Sequence, residues 1–184
     1  MRTVMISLLA LYCVGTSPVA ADVSACGCDP AKPETLQARD CSLCKEAEKQ
    51  PAGTTVFFLK DVNPRKTNRM LALPKEHTAA GHSLSALAPA LRTALWTAAI
   101  EKARSLWGEQ WGLALNGDEV RTQCHAHIHI GKLIEDLETA RVIVVDTPAQ
   151  IPAPEDGSGM WVHAAGAKLH VHFGEQITET VLLR

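Results

Sequence analysis

Aromatic residues are scarce in this 184-residue chain, which holds three Phe, one Tyr and four Trp. No basic run interleaves them, and 18 Lys and Arg stand against 20 Asp and Glu. A bulk polyanion such as nucleic acid is therefore excluded as the partner, because its binding face needs clustered positive charge. Small nucleotides stay open, since a pocket needs only a few donors. Long apolar runs are missing as well. Beyond the first residues, charge breaks every apolar stretch, so no membrane span of the required ~20 residues is expected. The sequence shows no internal repeat and no second-domain boundary, and its length suits one domain with a hydrophobic core.

What the chain does have at its start reads as an export signal. Arg2 supplies a positive charge, residues 4–14 (VMISLLALYCV) an apolar run, and TSPVAADVSAC small-residue cleavage sites after Ala20 or Ala21. A cut after Ala25 would free Cys26 in the manner of a lipoprotein, although VSAC sits far beyond the apolar run. An exported, periplasmic or membrane-associated protein is expected. Removal of Cys13 with the signal leaves Cys26, Cys28, Cys41, Cys44 and Cys124, an odd number that prevents complete internal pairing. The first four could form two disulfides in an oxidising compartment. Cys41 and Cys44 also have the spacing of half a metal site. Both readings stay open.

Residues 1–21 are read as the signal, 22–40 as an extended arm, 41–147 as the catalytic domain, and 148–184 as an extension adding strands to the same domain. TTVFFLKD (54–61) is β-branched and aromatic and predicts a strand. Asn63-Pro64 predicts a turn, and RMLALP a second strand stopped by Pro74. From Ser83 the period changes. Leu84, Leu87, Leu91 and Leu95 recur at three and four, flanked by Trp96, Ile100, Ala103 and Trp107, which predicts a long helix properly starting at Pro89 and ended by Gly108. The strands WGLALN, CHAHIHIGKL and ARVIVVD follow, then a Pro/Gly loop and the short runs MWVHA, KLHVHF and ETVLLR. The expected class is α+β, an antiparallel sheet with one long helix packed on it.

His125, His127 and His129 alternate with Ala126, Ile128 and Ile130. In a strand this puts three imidazoles on one face and the aliphatic side chains on the other. A lone interior histidine is usually a packing residue, but three at alternate positions seldom are. They could ligate zinc, or one could be a nucleophile toward phosphorus while its neighbours donate to phosphoryl oxygens. Spacing does not choose between these.

The surrounding residues do. Cys41 to Leu133, with VFFLKDVNP, LALPKEH, the long helix, LALNG and HAHIHI, resembles the histidine-triad superfamily of nucleotide hydrolases and transferases. FFLKDVNPRKTNRMLALP together with RTQCHAHIHI looks most like its CDP-diacylglycerol pyrophosphatase branch. The resemblance implies that His127 attacks the α-phosphorus and is transiently nucleotidylated. It implies that His125 orients His127 or serves a metal, that His129 holds a phosphoryl oxygen, and that Thr122 and Gln123 stand near the leaving group. Asp61, Asn116 and Arg121 would bind nucleotide. Each has a plainer reading: Asp61 and Asn116 as turn residues, Thr122 and Gln123 as ordinary loop residues, Arg121 as a solvated charge. No cofactor is required on this route. Some members bind structural zinc through residues matching Cys41, Cys44, His77 and His125, whereas Cys26 and Cys28 offer disulfides to the same sulfurs. A twofold assembly and peripheral membrane contact are further implications.

The chain departs from the pattern from Asp136 onward, and Gly131 suggests an early end to the triad strand. His163, His170 and His172 lie there; a partly exposed strand is the plain reading, and headgroup contact or an accessory metal the other. Phe57, Phe58, Met70, Leu71 and the helix tryptophans are the candidates for contacting acyl chains. Two competing classes remain: a zinc metallohydrolase using the three histidines, and a non-enzymatic exported module binding metal or nucleotide.

Overall fold

Two short apolar runs build the first hairpin, β1 (Val56–Lys60) with Val56, Phe57 and Phe58, and β2 (Met70–Pro74), in register from Val56 opposite Pro74 to Lys60 opposite Met70. The computed structural model describes residues 23–76, 82–135 and 137–184; the expected signal and His77 lie outside them. Five further strands complete an antiparallel sheet: β3 (Trp111–Leu115), β4 (Ile128–Lys132), β5 (Val142–Val145), β6 (Gly159–Ala165) and β7 (Lys168–Glu175). Their order is β1-β2-β4-β3-β6-β7-β5. The class is α+β, as the sequence pattern requires.

Two helices lie among the described residues, the short α1 (Ser42–Glu48) and the long α2 (Pro89–Trp107). Pro89 opens α2 where its missing N–H costs nothing, and Gly108, at φ +57°, closes it. Leu91, Leu95, Trp96, Ala99, Ile100 and Ala103 are buried against one face of the sheet, where Leu113, Ile128, Ile130, Val162 and Val171 meet them. Alternation sends the intervening residues to the other face. There α1 sets Leu43 and Ala47 on Phe57, Leu71 and Leu73, and a C-terminal turn (Glu179–Val181) sets Val181 and Leu182 on Ala114 and Trp161. Gly112 and Gly131, opposite each other in the β3–β4 ladder, make room for this turn. A Cβ on Gly112 would come within 2.7 Å of Leu182 Cδ2. The strand runs through Gly131 to Lys132 instead of ending early.

Residues 148–184, expected to add strands to the same domain, pair with strands that precede them. β5 is an edge strand held by β7, and β6 joins the sheet at β3, so residues 148–184 supply two interior strands. The expected strand from Cys124 is shorter than its alternation suggested, for β4 begins at Ile128. Residues 122–127 leave the ladder because other partners hold them. Cys124 is disulfide-bonded to Cys26 and its N–H donates to the Asp40 carbonyl at 2.8 Å, while the His125 ring bonds the Pro74 carbonyl at 2.7 Å. Cys28 pairs with Cys41. Two disulfides form, then, but one reaches Cys124 and leaves Cys44 free.

Candidate active site

The face opposite α2 carries a cavity of about 750 Å³. α1 and the end of the arm (Arg39, Ser42, Leu43) form one wall, and the loop after β1 (Asp61, Val62, Asn63, Lys66) forms another. The segment from Asn116 to Gln123, the two histidines His127 and His129, and Glu179 close the rest. All of the sequence-derived nucleotide and catalytic candidates except His125 line it.

His125 departs because its ring is fully buried and its Nε2 donates to the Pro74 carbonyl. Its backbone carbonyl does reach the site, accepting from His127 Nδ1 at 2.8 Å. A carbonyl oxygen can only accept, so the His127 proton sits on Nδ1 and Nε2 carries the lone pair. Burial first, and then the charge of neighbouring His129, pushes the His127 imidazole down to about 3. The ring is neutral across the physiological range, the form a nucleophile needs.

His129 lies 4.9 Å from His127 between ring centroids, edge to face. Neither of its ring nitrogens finds a hydrogen-bond partner among the described residues. Its Nδ1 stands 3.8 Å from Asp61 Oδ2 and 3.6 Å from Glu179 Oε2. Burial, together with the charges of Lys66 and Arg69, pushes it down to about 3 as well. Lys66 is ion-paired with Glu179 and stands 4.0 Å from Asp61, and Arg69 reaches the same Glu179 oxygen at 3.3 Å.

Arg121 is not the solvated charge of the plain reading. It is 1% exposed, bonded through one terminal nitrogen to the His82 carbonyl and Asp118 at 2.8 and 2.9 Å. Its Nε and other terminal nitrogen are buried with no partner among the described residues. Burial lowers its pKa against the raising pull of Asp118. Leaving buried guanidinium donors unbonded is expensive, so they are candidates for an anionic ligand.

The other candidates divide between cavity and scaffold. Asp61 lines the cavity and also caps its turn, accepting from the Asn63 N–H at 2.9 Å. The Asn116 amide oxygen is committed to the backbone N–H groups of Thr178 and Glu179, each at 3.0 Å, so it places Glu179. Gln123 accepts from Ser42 Oγ at 2.7 Å and donates to the Arg39 carbonyl at 3.1 Å, tying the arm to the histidine segment. Thr122 is an exposed residue on the cavity wall. Sequence reasoning missed Glu179, which no motif marks, and Lys66, which lies inside the FFLKDVNPRKTNRMLALP run.

Of the zinc set of Cys41, Cys44, His77 and His125, His77 lies outside the described residues. Cys41 spends its sulfur in the bond to Cys28, and His125 Nε2 holds a proton toward Pro74. Burial pushes the Cys44 thiol up to about 12, so it is no thiolate. Of the three histidines, only His127 and His129 line the cavity. Asp61, His129 and Glu179 do place ligand atoms within 4.8 Å of one another. Lys66 stands beside both of these carboxylates, and Arg69 pairs with Glu179. Of the acyl-chain candidates, only Leu71 lines the cavity; Phe57 is in the α1 cluster, while Phe58, Met70 and Trp96 belong to the α2 core.

Compared with known proteins, the chain matches no family model and no curated sequence at a significant level.

Proposed function

We propose that the chain is a histidine-triad hydrolase that cleaves a nucleoside diphosphate derivative at the α-phosphate through a nucleotidyl-histidine. The observation that carries this reading is one cavity holding a neutral imidazole with a fixed lone pair, His127, beside buried nitrogens on Arg121 and His129 that have no hydrogen-bond partner among the described residues. Attack by nitrogen on a phosphoanhydride requires alignment and donors aimed at the equatorial oxygens more than covalent assistance.

In the first step the Nε2–phosphorus bond forms and the bond from α-phosphorus to the bridging oxygen breaks, its electron pair leaving with that oxygen. Arg121 and the His129 N–H hold the non-bridging oxygens. Thr122 stands on the wall available to the leaving group. In the second step water attacks phosphorus and releases a proton, and the phosphorus–nitrogen electron pair returns to Nε2. The His125 carbonyl keeps the tautomer throughout. Asp61 is a carboxylate acceptor for ribose hydroxyls.

A lipid leaving group, as in CDP-diacylglycerol, is favoured by the apolar part of the cavity lining, Leu43, Leu59, Leu71, Val120 and the 96% exposed Val62. An oxidising, exported setting suits the two disulfides. The test is incubation of the purified chain, with chelator present, with CDP-diacylglycerol and with soluble nucleoside diphosphate derivatives. CMP release from the lipid supports the whole reading. Turnover of soluble substrates alone removes the lipid assignment. Turnover that requires added metal removes the metal-free route.

A further inference from the structure

A second group of imidazoles lies on the same face of the sheet, outside the cavity. Register places His163 of β6 directly opposite His170 of β7, and His172, two residues on, opposite Trp161. Glu138, from the loop before β5, reaches over all three. Its Oε1 stands 3.2 Å from His163 Nε2 and from His170 Nδ1, and its Oε2 stands 3.2 Å from His172 Nε2. The two Nε2 atoms of His163 and His172 are themselves 3.2 Å apart.

The outer nitrogens define what these inner atoms are. His163 Nδ1 donates to the Ala164 carbonyl at 3.0 Å, so its Nε2 is a lone pair. His172 Nδ1 meets the Thr139 hydroxyl at 2.8 Å, a partner that can accept its proton and leave Nε2 as a second lone pair. Two lone pairs and a carboxylate then converge with like polarity, an arrangement a cation at their centre relieves. The spacing suits one: donor atoms held tetrahedrally at zinc–nitrogen distances of ~2.0–2.1 Å lie about 3.3 Å apart. Outer partners on ring nitrogens, here Ala164 and Thr139, are the usual accompaniment of a ligating histidine.

We propose that His163, His170, His172 and Glu138 form a structural site for a divalent transition cation of the zinc class. Three imidazoles and one carboxylate suit a borderline cation, and four protein ligands close a tetrahedron. The site is independent of the cavity. His129, Ala114, Trp161 and His172 run in one row across β4, β3, β6 and β7, so three strand spacings, roughly 14 Å, separate the two groups. Trp161 stands between them, stacked on His172 at 3.6 Å. The bound ion fastens the Glu138 loop to the β6–β7 hairpin.

The test uses the purified full chain, stripped of metal and titrated with Co²⁺, then with Zn²⁺ in competition. Expected are one tightly bound Co²⁺ per chain with the strong visible absorption of tetrahedral cobalt, its displacement by zinc, and a thermal midpoint that zinc raises. His170→Ala and Glu138→Gln each weaken binding at least about 100-fold, the upper end of what loss of a mere outer partner does. Both positions are partly open to solvent, and near-ultraviolet dichroism checks that they fold. His129→Ala leaves binding unchanged. Three results overturn the proposal: no stoichiometric binding by a natively folded chain, as when a proton alone relieves the cluster; binding that survives both the His170 and Glu138 substitutions; or binding lost with His129.

Discussion

Two histidine groups written alike in the sequence, HAHIH and HVH, end in opposite chemical arrangements on one sheet face. In the cavity, His127 and His129 turn edge to face, His127 Nδ1 toward the His125 carbonyl and His129 Nδ1 toward the Asp61 and Glu179 carboxylates. At the β6–β7 end, His163, His170 and His172 point their nitrogens at one another and at one carboxylate. Strand register brings His163, His170 and His172 to one face, whereas His127 stands before β4 begins; in both groups the outer partner of a ring fixes which nitrogen keeps its lone pair.

The sharpest way to break this comparison is to remove the cavity's lone pair. His127→Ala is expected to lower kcat by at least about 10⁴-fold, the scale on which nucleophile losses fall, while metal content at the second group stays the same. Steady-state turnover beside metal analysis reads both.

Next in size is the disulfide that shapes the histidine segment. Cys26→Ser opens a bridge spanning 98 residues, and loop-closure entropy puts the loss of stability at about 4–5 kcal/mol. Denaturant unfolding measures it. Because Cys124 adjoins His125, kcat should fall in the variant while it is still folded. Unchanged kcat would show that the segment keeps its shape without the bridge.

Arg121→Gln removes the buried donors and is expected to lower kcat about 10²–10³-fold, as loss of one preorganised donor does. It should leave the second group untouched.

A pH series sharpens the comparison further. His127 and His129 are pushed from 6.5 down to about 3 in the folded chain, so unfolded imidazoles bind protons that folded ones refuse. Their neutral burial therefore contributes to stability relative to the charged form only as a penalty that grows on acidification. Stability is full above pH 6.5 and falls between 6.5 and about 3. Thermal midpoints across that window should drop less in His127→Gln. The rate should show no loss near pH 6.5 from protonation of His127.

The smallest effect is expected from Gly112→Ala, which pushes on Leu182 and through it on the turn carrying Glu179. A cost of roughly 1–3 kcal/mol is anticipated for such overpacking, read as a shift in the denaturation midpoint.

Local pattern made much of the fold legible. The hairpin of β1 and β2 follows from two short apolar runs around Asn63-Pro64, and α2 from apolar residues at three and four between Pro89 and Gly108. In the cavity, Asp61, Asn116, Arg121, Thr122, Gln123, His127 and His129 come together from the segments that the motifs marked. What stayed hidden depends on long-range register. Nothing local says that Cys124 pairs with Cys26 across 98 residues, and that tie is why β4 starts at Ile128 and not earlier. Glu179 arrives from a C-terminal turn with no motif of its own, and Lys66, although inside the FFLKDVNPRKTNRMLALP run, gains its place only by pairing with Glu179. Glu138 is one acidic residue in a loop until β6 and β7 pair and bring three imidazoles beneath it.

The central claim is that His127 carries the nucleotide between two half-reactions. Its most direct test mixes the purified chain with a nucleoside diphosphate derivative, quenches in alkali to protect the phosphorus–nitrogen bond, and reads intact and peptide mass. The account predicts a transient nucleotidyl adduct on the peptide holding His127, absent from His127→Ala. Full turnover with no adduct at any quench time, or full turnover by His127→Ala, would contradict it.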